Sequence, residues 1–236
     1  MLTSVLSFTP EMAERVTEYC TNSSTDVSSN MNELWDWTVQ EFEDADKMSS
    51  PLQGSTMKFL AGLLQPKRIL EIGSYSGYSA LAWHESTQQT GADIVTLELD
   101  KNMIAATRRT LEKYALSDRV ALIEGDASES LTKLTGSFDL IFVDANKDGY
   151  EAYVKTILDR KLLSPRGLIM ADNIFARGMT ISTESNPGLP EKVRGYWTDN
   201  GKALRKFNTF CKNDGRIDTV LLPVYDGLTL IKWKTS

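Results

Sequence analysis

The sequence predicts an α/β protein: a mostly parallel, doubly wound sheet with one antiparallel strand at its end and helices on both faces. Three observations predict it. From residue 68 onward, short apolar runs alternate with amphipathic stretches, the rhythm of β-α-β units wound around a parallel sheet. The turn after the first run, EIGSYSGYS, hands a strand over to a helix through two glycines four apart. The tail carries two strand-like runs, 217–222 and 228–233, joined by Pro-Val-Tyr-Asp-Gly, which reads as a hairpin.

The elements follow in order. Residues 10–20 read as a helix, and the small polar stretch TNSSTDVSSN at 21–30 as a loop. Over 31–45, Leu34, Trp35, Val39 and Phe42 recur at helical spacing. Ser50-Pro51 opens a third helix, with proline in its first turn, that ends near Pro66. Strands are expected at 68–72, 94–97, 120–124, 138–143 and 168–170. Helices are expected between them, at 76–88, 101–114, 128–134 and 150–159. The whole chain, 1–236, is expected to form one domain, with a helical N-terminal segment at 1–66 and the α/β core at 67–236.

Composition narrows the function classes. A chain of 236 residues with 41% hydrophobic and 25% charged residues is an ordinary soluble domain that can bury a sizeable core. Its net charge of −6 argues against a nucleic-acid partner, since phosphate binding needs a basic surface. No apolar run approaches membrane-spanning length. The first residues carry neither a basic leader nor a sustained apolar stretch. Cys20 and Cys211 lie far apart and match no metal spacing, so they read as free thiols of a reducing, cytoplasmic compartment.

In a doubly wound sheet, ligands bind beyond the carboxyl ends of the strands, where the winding reverses. EIGSYSGYS sits at that end of the first strand. Gly73 allows a tight turn, and Gly77 opens a helix whose free N–H groups face whatever is bound. The spacing G-x-x-x-G is not the dinucleotide fingerprint G-x-G-x-x-G. Glu71 would repel a pyrophosphate and attract an amine. Glu98, at the end of the second strand, suits the two ribose hydroxyls, and Asp126, after the third, suits an adenine amino group. Three such acids fit S-adenosylmethionine better than a nicotinamide dinucleotide, although an acid such as Asp126 can equally be a helix N-cap.

A second group of acids ends the fourth and fifth strands. Asp144 follows FDLIFV, and Asp172-Asn173 follows GLIMA. Together they offer oxygen ligands to a hard divalent cation. Zinc is disfavoured, because the single histidine, His84, lies mid-helix and reads as structural. Lys147, three residues after Asp144, lies at the same opening. A cation beside it is expected to lower its pKa and suit it to accept a phenol proton.

With these residues assembled, ILEIGSYSGYSALA, FVDANKDGY, ADN and LLPVYDGLTL resemble the cation-dependent O-methyltransferases of the caffeoyl-CoA O-methyltransferase type, over residues 48–233. The resemblance implies a Rossmann-like, seven-stranded methyltransferase fold and a homodimer. It implies methyl transfer from S-adenosylmethionine to one hydroxyl of a small catechol-like aromatic molecule, with a divalent cation, usually magnesium. By position it implies cofactor contacts at Ser49, Glu71, Gly73, Ser79, Glu98, Asp126, Ala127 and Asp144, and metal ligation by Asp144, Asp172 and Asn173. It further implies a general base at Lys147 and a substrate contact at Arg177. Asn146 replaces an acid common in the family, which removes a negative charge beside the metal. Two other readings stay open: a metal-independent methyltransferase acting on a single phenol or an amine, and a non-catalytic cofactor-binding subunit.

Overall fold

The computed structural model describes residues 9–234. Three helices come first: α1 (Pro10–Asn22), α2 (Ser29–Glu41) and α3 (Pro51–Leu64). The core then alternates β1 (Arg68–Ile72), α4 (Tyr78–Ser86), β2 (Asp93–Glu98), α5 (Lys101–Lys113), β3 (Val120–Glu124), α6 (Ala127–Lys133), β4 (Phe138–Val143), α7 (Tyr150–Asp159) and β5 (Leu163–Ala171). The chain ends in α8 (Glu191–Asn213), β6 (Ile217–Leu222) and β7 (Leu228–Trp233).

The seven strands form one sheet in the order β3-β2-β1-β4-β5-β7-β6. β7 pairs antiparallel with both β5 and β6, and every other pairing is parallel. This is the predicted fold class. The central strands are buried on both faces, which is why they read as continuous apolar runs rather than alternating ones. On one face, Leu70, Ile72, Ile141 and Val143 pack against α6, α7 and α8. On the other, Ile69, Leu140 and Phe142 pack against α2, α3 and α4. Winding reverses between β1 and β4, so their carboxyl ends part there and open the crevice that holds ligands in such sheets.

Local chemistry sets the helix starts. Ser28 and Asp100 cap α2 and α5 by accepting from N–H groups of the first turn. At α3, Ser50 and Gln53 form a reciprocal capping box around Pro51.

The structure corrects several sequence expectations. The loop read at 21–30 shrinks, because α1 runs on to Asn22 and α2, capped by Ser28, starts at Ser29. The helix read to residue 45 ends at Glu41, where Phe42 turns extended. β5 is much longer than 168–170. Pro165 masks its first half, and the register with β4 shifts between Phe138 and Leu140. The 23-residue α8 was not read at all. Among the described residues, no helix is long and apolar enough to cross a membrane.

Candidate active site

A cleft of about 1280 Å³ opens at the carboxyl ends of the strands, larger than a pocket for a single drug-sized ligand. Gly73, Ser74, Tyr75 and Ser79 of the first turn line it, with Ser49, Glu98 and Ala127. Asp144, Lys147, Asn173 and Arg177 line its other half. The structure thus brings the cofactor and cation groups of the sequence reading to one opening. Glu71, Asp126 and Asp172 stand behind the lining.

The turn is built from unusual backbone. Gly73, Tyr75 and Gly77 all have positive φ, at 95°, 50° and 85°. Glu98 holds it in this shape. One carboxylate oxygen accepts from the N–H groups of Ser74 and Tyr75, both at 3.0 Å, and the other from those of Leu99 and Asp100, at 2.8 and 2.9 Å. Glu98 therefore ties the turn to the start of α5 as well as facing the cleft.

Glu71 sits elsewhere than expected. It is fully buried and accepts from Trp83 Nε1 at 3.1 Å and Thr96 Oγ1 at 2.6 Å. Burial pushes its pKa up to about 7, against hydrogen bonds from Ser79, Thr96 and Trp83. An acid with a raised folded pKa destabilises the fold as pH climbs from its unfolded value towards about 7. Glu71→Gln should therefore flatten the fall in melting temperature between pH 5 and pH 7.5, by several degrees at the upper end. A variant that follows the wild-type curve would show that Glu71 does not titrate there.

Asp126 has a structural bond of its own. It caps α6, accepting from Ser128 N at 2.7 Å, while its neighbours Gly125 and Ala127 reach the cleft.

Three oxygen-bearing side chains converge at the ends of β4 and β5. The Lys147 ammonium donates to Asp144 Oδ1 and Asn173 Oδ1, both at 2.9 Å, and to Tyr150 Oη at 2.7 Å. Tyr150 in turn donates to the Asp172 carbonyl. Asp172 is 2% exposed. Its Oδ1 accepts from Asn173 N, and its Oδ2 from Gln53 Nε2 at 2.6 Å. Burial, then the charge of Asp144, pushes Asp172 up to about 7. A buried acid held up in this way gains from added positive charge, and the donors are all hard oxygens, so Asp144, Asp172 and Asn173 fit a hard divalent cation. They are two acids and an amide; among the described residues no three or more His, Cys, Asp or Glu are placed together to hold a metal ion.

The lowered pKa expected of Lys147 depends on a bound cation; the protein's own groups act the other way. Burial disfavours its ammonium, but the attraction of Asp144 and Tyr150 outweighs that, and Lys147 titrates above its ordinary value. Asn146 has partners of its own. Its carbonyl accepts from Tyr153 Oη at 2.7 Å, and its amide donates to Asp148 at 2.6 Å, so it pins the 145–149 turn and does not join the oxygen cluster. Asn146→Asp should set two carboxylates against each other and cost about 1 kcal/mol at this exposed site. Manganese affinity, by titration calorimetry, should stay within about threefold. A larger change would return Asn146 to the cation site.

Arg177 roofs the other end. Its backbone, at φ 58°, donates to both carboxylate oxygens of Asp226. Its guanidinium pairs with Asp46 at 2.6 Å and lies 5.1 Å from the ring centre of Trp197. Sequence reasoning missed Asp46, Tyr196, Trp197, Tyr225 and Asp226 of this wall. The Tyr-Trp pair after Pro190-Glu was a usable signal for an aromatic wall. The Asp46–Arg177 pair, 131 residues apart, left none.

Comparison with known proteins points to one family. The family model described as O-methyltransferase matches residues 21–234. The crystal structure of the SAH-bound Podospora anserina methyltransferase PaMTH1 superposes with a TM-score of 0.97 at 56% identity, covering 99% of this chain and 100% of that one. The O-methyltransferase ankF of Aspergillus thermomutatus is 36% identical over the whole of both chains. A caffeoyl-CoA O-methyltransferase of Stellaria longipes is 30% identical over 78% of this chain and 75% of its own. A catechol O-methyltransferase of Niastella koreensis is 31% identical over 77% and 80%. A glycine turn held by the acid that ends β2, set in a sheet of this order and matched over nearly its whole length, places the chain in the S-adenosylmethionine-dependent O-methyltransferase family of the caffeoyl-CoA and catechol type, to which it belongs.

Proposed function

We propose that the protein methylates one hydroxyl of a vicinal aromatic diol and uses a divalent cation, magnesium, to do so. The observation that carries this reading is the convergence on one cleft of the cofactor turn, Asp144 and Asn173, with Asp172 buried behind that lining. The similarity to a catechol O-methyltransferase supports the acceptor class.

Gly73, Ser79, Glu98 and Ala127 would hold S-adenosylmethionine, which supplies a methyl group on a sulfonium. Asp144, Asp172 and Asn173 would hold the cation, which when bound lowers the pKa of the acceptor hydroxyls and of Lys147. The aromatic wall of Trp35, Tyr196, Trp197 and Tyr225 flanks a flat acceptor and excludes water from it. Lys147, anchored at Tyr150, lies where it can take the acceptor's proton. The acceptor oxygen then forms its bond to the methyl carbon as the carbon–sulfur bond breaks. Much of the rate comes from fixing these partners in line.

One observation favours a second reading. The Lys147 ammonium already bridges Asp144 and Asn173, so the chain carries a positive charge of its own at this point, and transfer to a single phenol needs no metal. One experiment separates the two. Methyl transfer from labelled S-adenosylmethionine to caffeic acid and a catechol flavonoid is measured with magnesium and with EDTA. Product with magnesium alone is the expected result. Equal product in both would replace the first reading by the second.

A further inference from the structure

We infer that Gln53 is a positioning residue for Asp172, and through it for the cation of the proposed function, on which this inference rests. Gln53 lies at the third position of α3, 119 residues from Asp172 in sequence, yet its Nε2 donates to Asp172 Oδ2 at 2.6 Å. The direction of the amide is fixed. Its only oxygen accepts from Ser50 N at 2.8 Å, as one half of the capping box. That bond leaves only the NH₂ to face the cleft, so Gln53 offers Asp172 a donor and offers a cation nothing.

The consequence falls on one carboxylate. Asn173 N holds Asp172 Oδ1 at 2.7 Å, and Gln53 holds Oδ2. Each oxygen keeps a lone pair for a further partner. The carboxylate plane is therefore set from both sides, one by its own strand end and one by the helix whose N-cap, Ser50, lines the cleft together with Ser49. Groups that orient metal ligands in this way typically govern metal affinity 10- to 100-fold. Neutral amide nitrogen suits the place, because it steadies an acid without competing for its charge.

The test uses the full-length protein and manganese as the probe, followed by the electron paramagnetic resonance of free Mn²⁺. In Gln53→Met, manganese should bind about 10- to 100-fold more weakly, while S-adenosylhomocysteine affinity, by calorimetry, stays within threefold. Ser50→Ala damages the same capping box but spares the bond to Asp172. It serves as the comparator, and its manganese affinity should remain within threefold of wild type. Circular dichroism checks that each variant is folded. If Gln53→Met does not fold, Gln53→Ala, with the better helix former, carries the measurement. Manganese affinity equal to wild type in a folded Gln53 variant would overturn the inference. So would an equal loss in Ser50→Ala, which would assign the effect to the helix cap. A wild-type protein that binds no manganese would remove the cation reading itself, a distinct outcome.

Discussion

Asp144→Ala should lower methyl transfer to a catechol by about a thousandfold or more while leaving S-adenosylhomocysteine bound within about tenfold. The asymmetry follows from what Asp144 touches. Its carboxylate accepts from Lys147 and lies with Asn173 at the cation end of the cleft. The cofactor turn is held instead by Glu98 and by its own backbone. Removing the carboxylate takes away one of the two acids of the proposed cation set. It also leaves the Lys147 ammonium, in a pair only 9% and 14% exposed, with neutral partners alone. Breaking a buried pair from one side costs roughly 3–5 kcal/mol, so a fall in melting temperature is expected along with the fall in rate. Asp144→Asn separates the two effects. Its amide oxygen still accepts from Lys147, so the fold is largely restored, but the charge that would hold a cation is gone and the rate stays low. Retention of activity within tenfold of wild type in a folded Asp144→Asn protein would remove Asp144 from the reaction.

The strand-end acids were legible because they depend on two local patterns only: a buried apolar run that marks a parallel strand, and the residue that follows it. β1, β3 and β4 were read at their observed bounds for that reason. Side-chain direction was harder. Glu71 adjoins the turn in sequence, but alternation along β1 sends Leu70 and Ile72 to one face and Ile69 and Glu71 to the other, where Trp83 waits. The pattern was present and pointed away from a direct ligand contact. α8 was hidden differently. Leu204, Phe207 and Cys211, its buried stripe, recur at helical spacing, yet Pro187, Gly188, Pro190 and Gly195 upstream made the segment read as a loop. The partnerships of Gln53 with Asp172 and of Arg177 with Asp46 cross more than a hundred residues each. No local spacing encodes such pairs; only the closed fold brings them together.

Gly73→Ala should cost about 3 kcal/mol or more in stability and weaken S-adenosylhomocysteine binding at least tenfold, because two penalties coincide at one atom. The residue adopts φ 95°, outside the small left-handed region that other residues tolerate. A Cβ built there would also run into the Asp144 backbone carbonyl oxygen and lie 3.2 Å from Ala145 Cα. Neither neighbour can yield. Asp144 N donates to Ile72 O, and Gly73 N donates to Leu97 O, both at 2.9 Å, so the turn is stitched to the strands on either side of β1. Relief of the overlap has to move the turn, the end of β4, or both, and each carries cleft residues. Gly91→Ala is the comparator for a positive φ without a steric clash. Gly91 has φ 62° and open space around its Cβ position, so alanine there should cost only about 1 kcal/mol and leave the cofactor bound. For a chain of this size, 1 kcal/mol shifts the melting temperature by roughly 2–4 °C. The expected result is therefore a drop of roughly 6 °C or more for Gly73→Ala, against a few degrees for Gly91→Ala. Equal melting temperatures with intact cofactor binding in both would mean that the close approach of Gly73 to Asp144 neither shapes the turn nor couples the cofactor end of the cleft to the cation end.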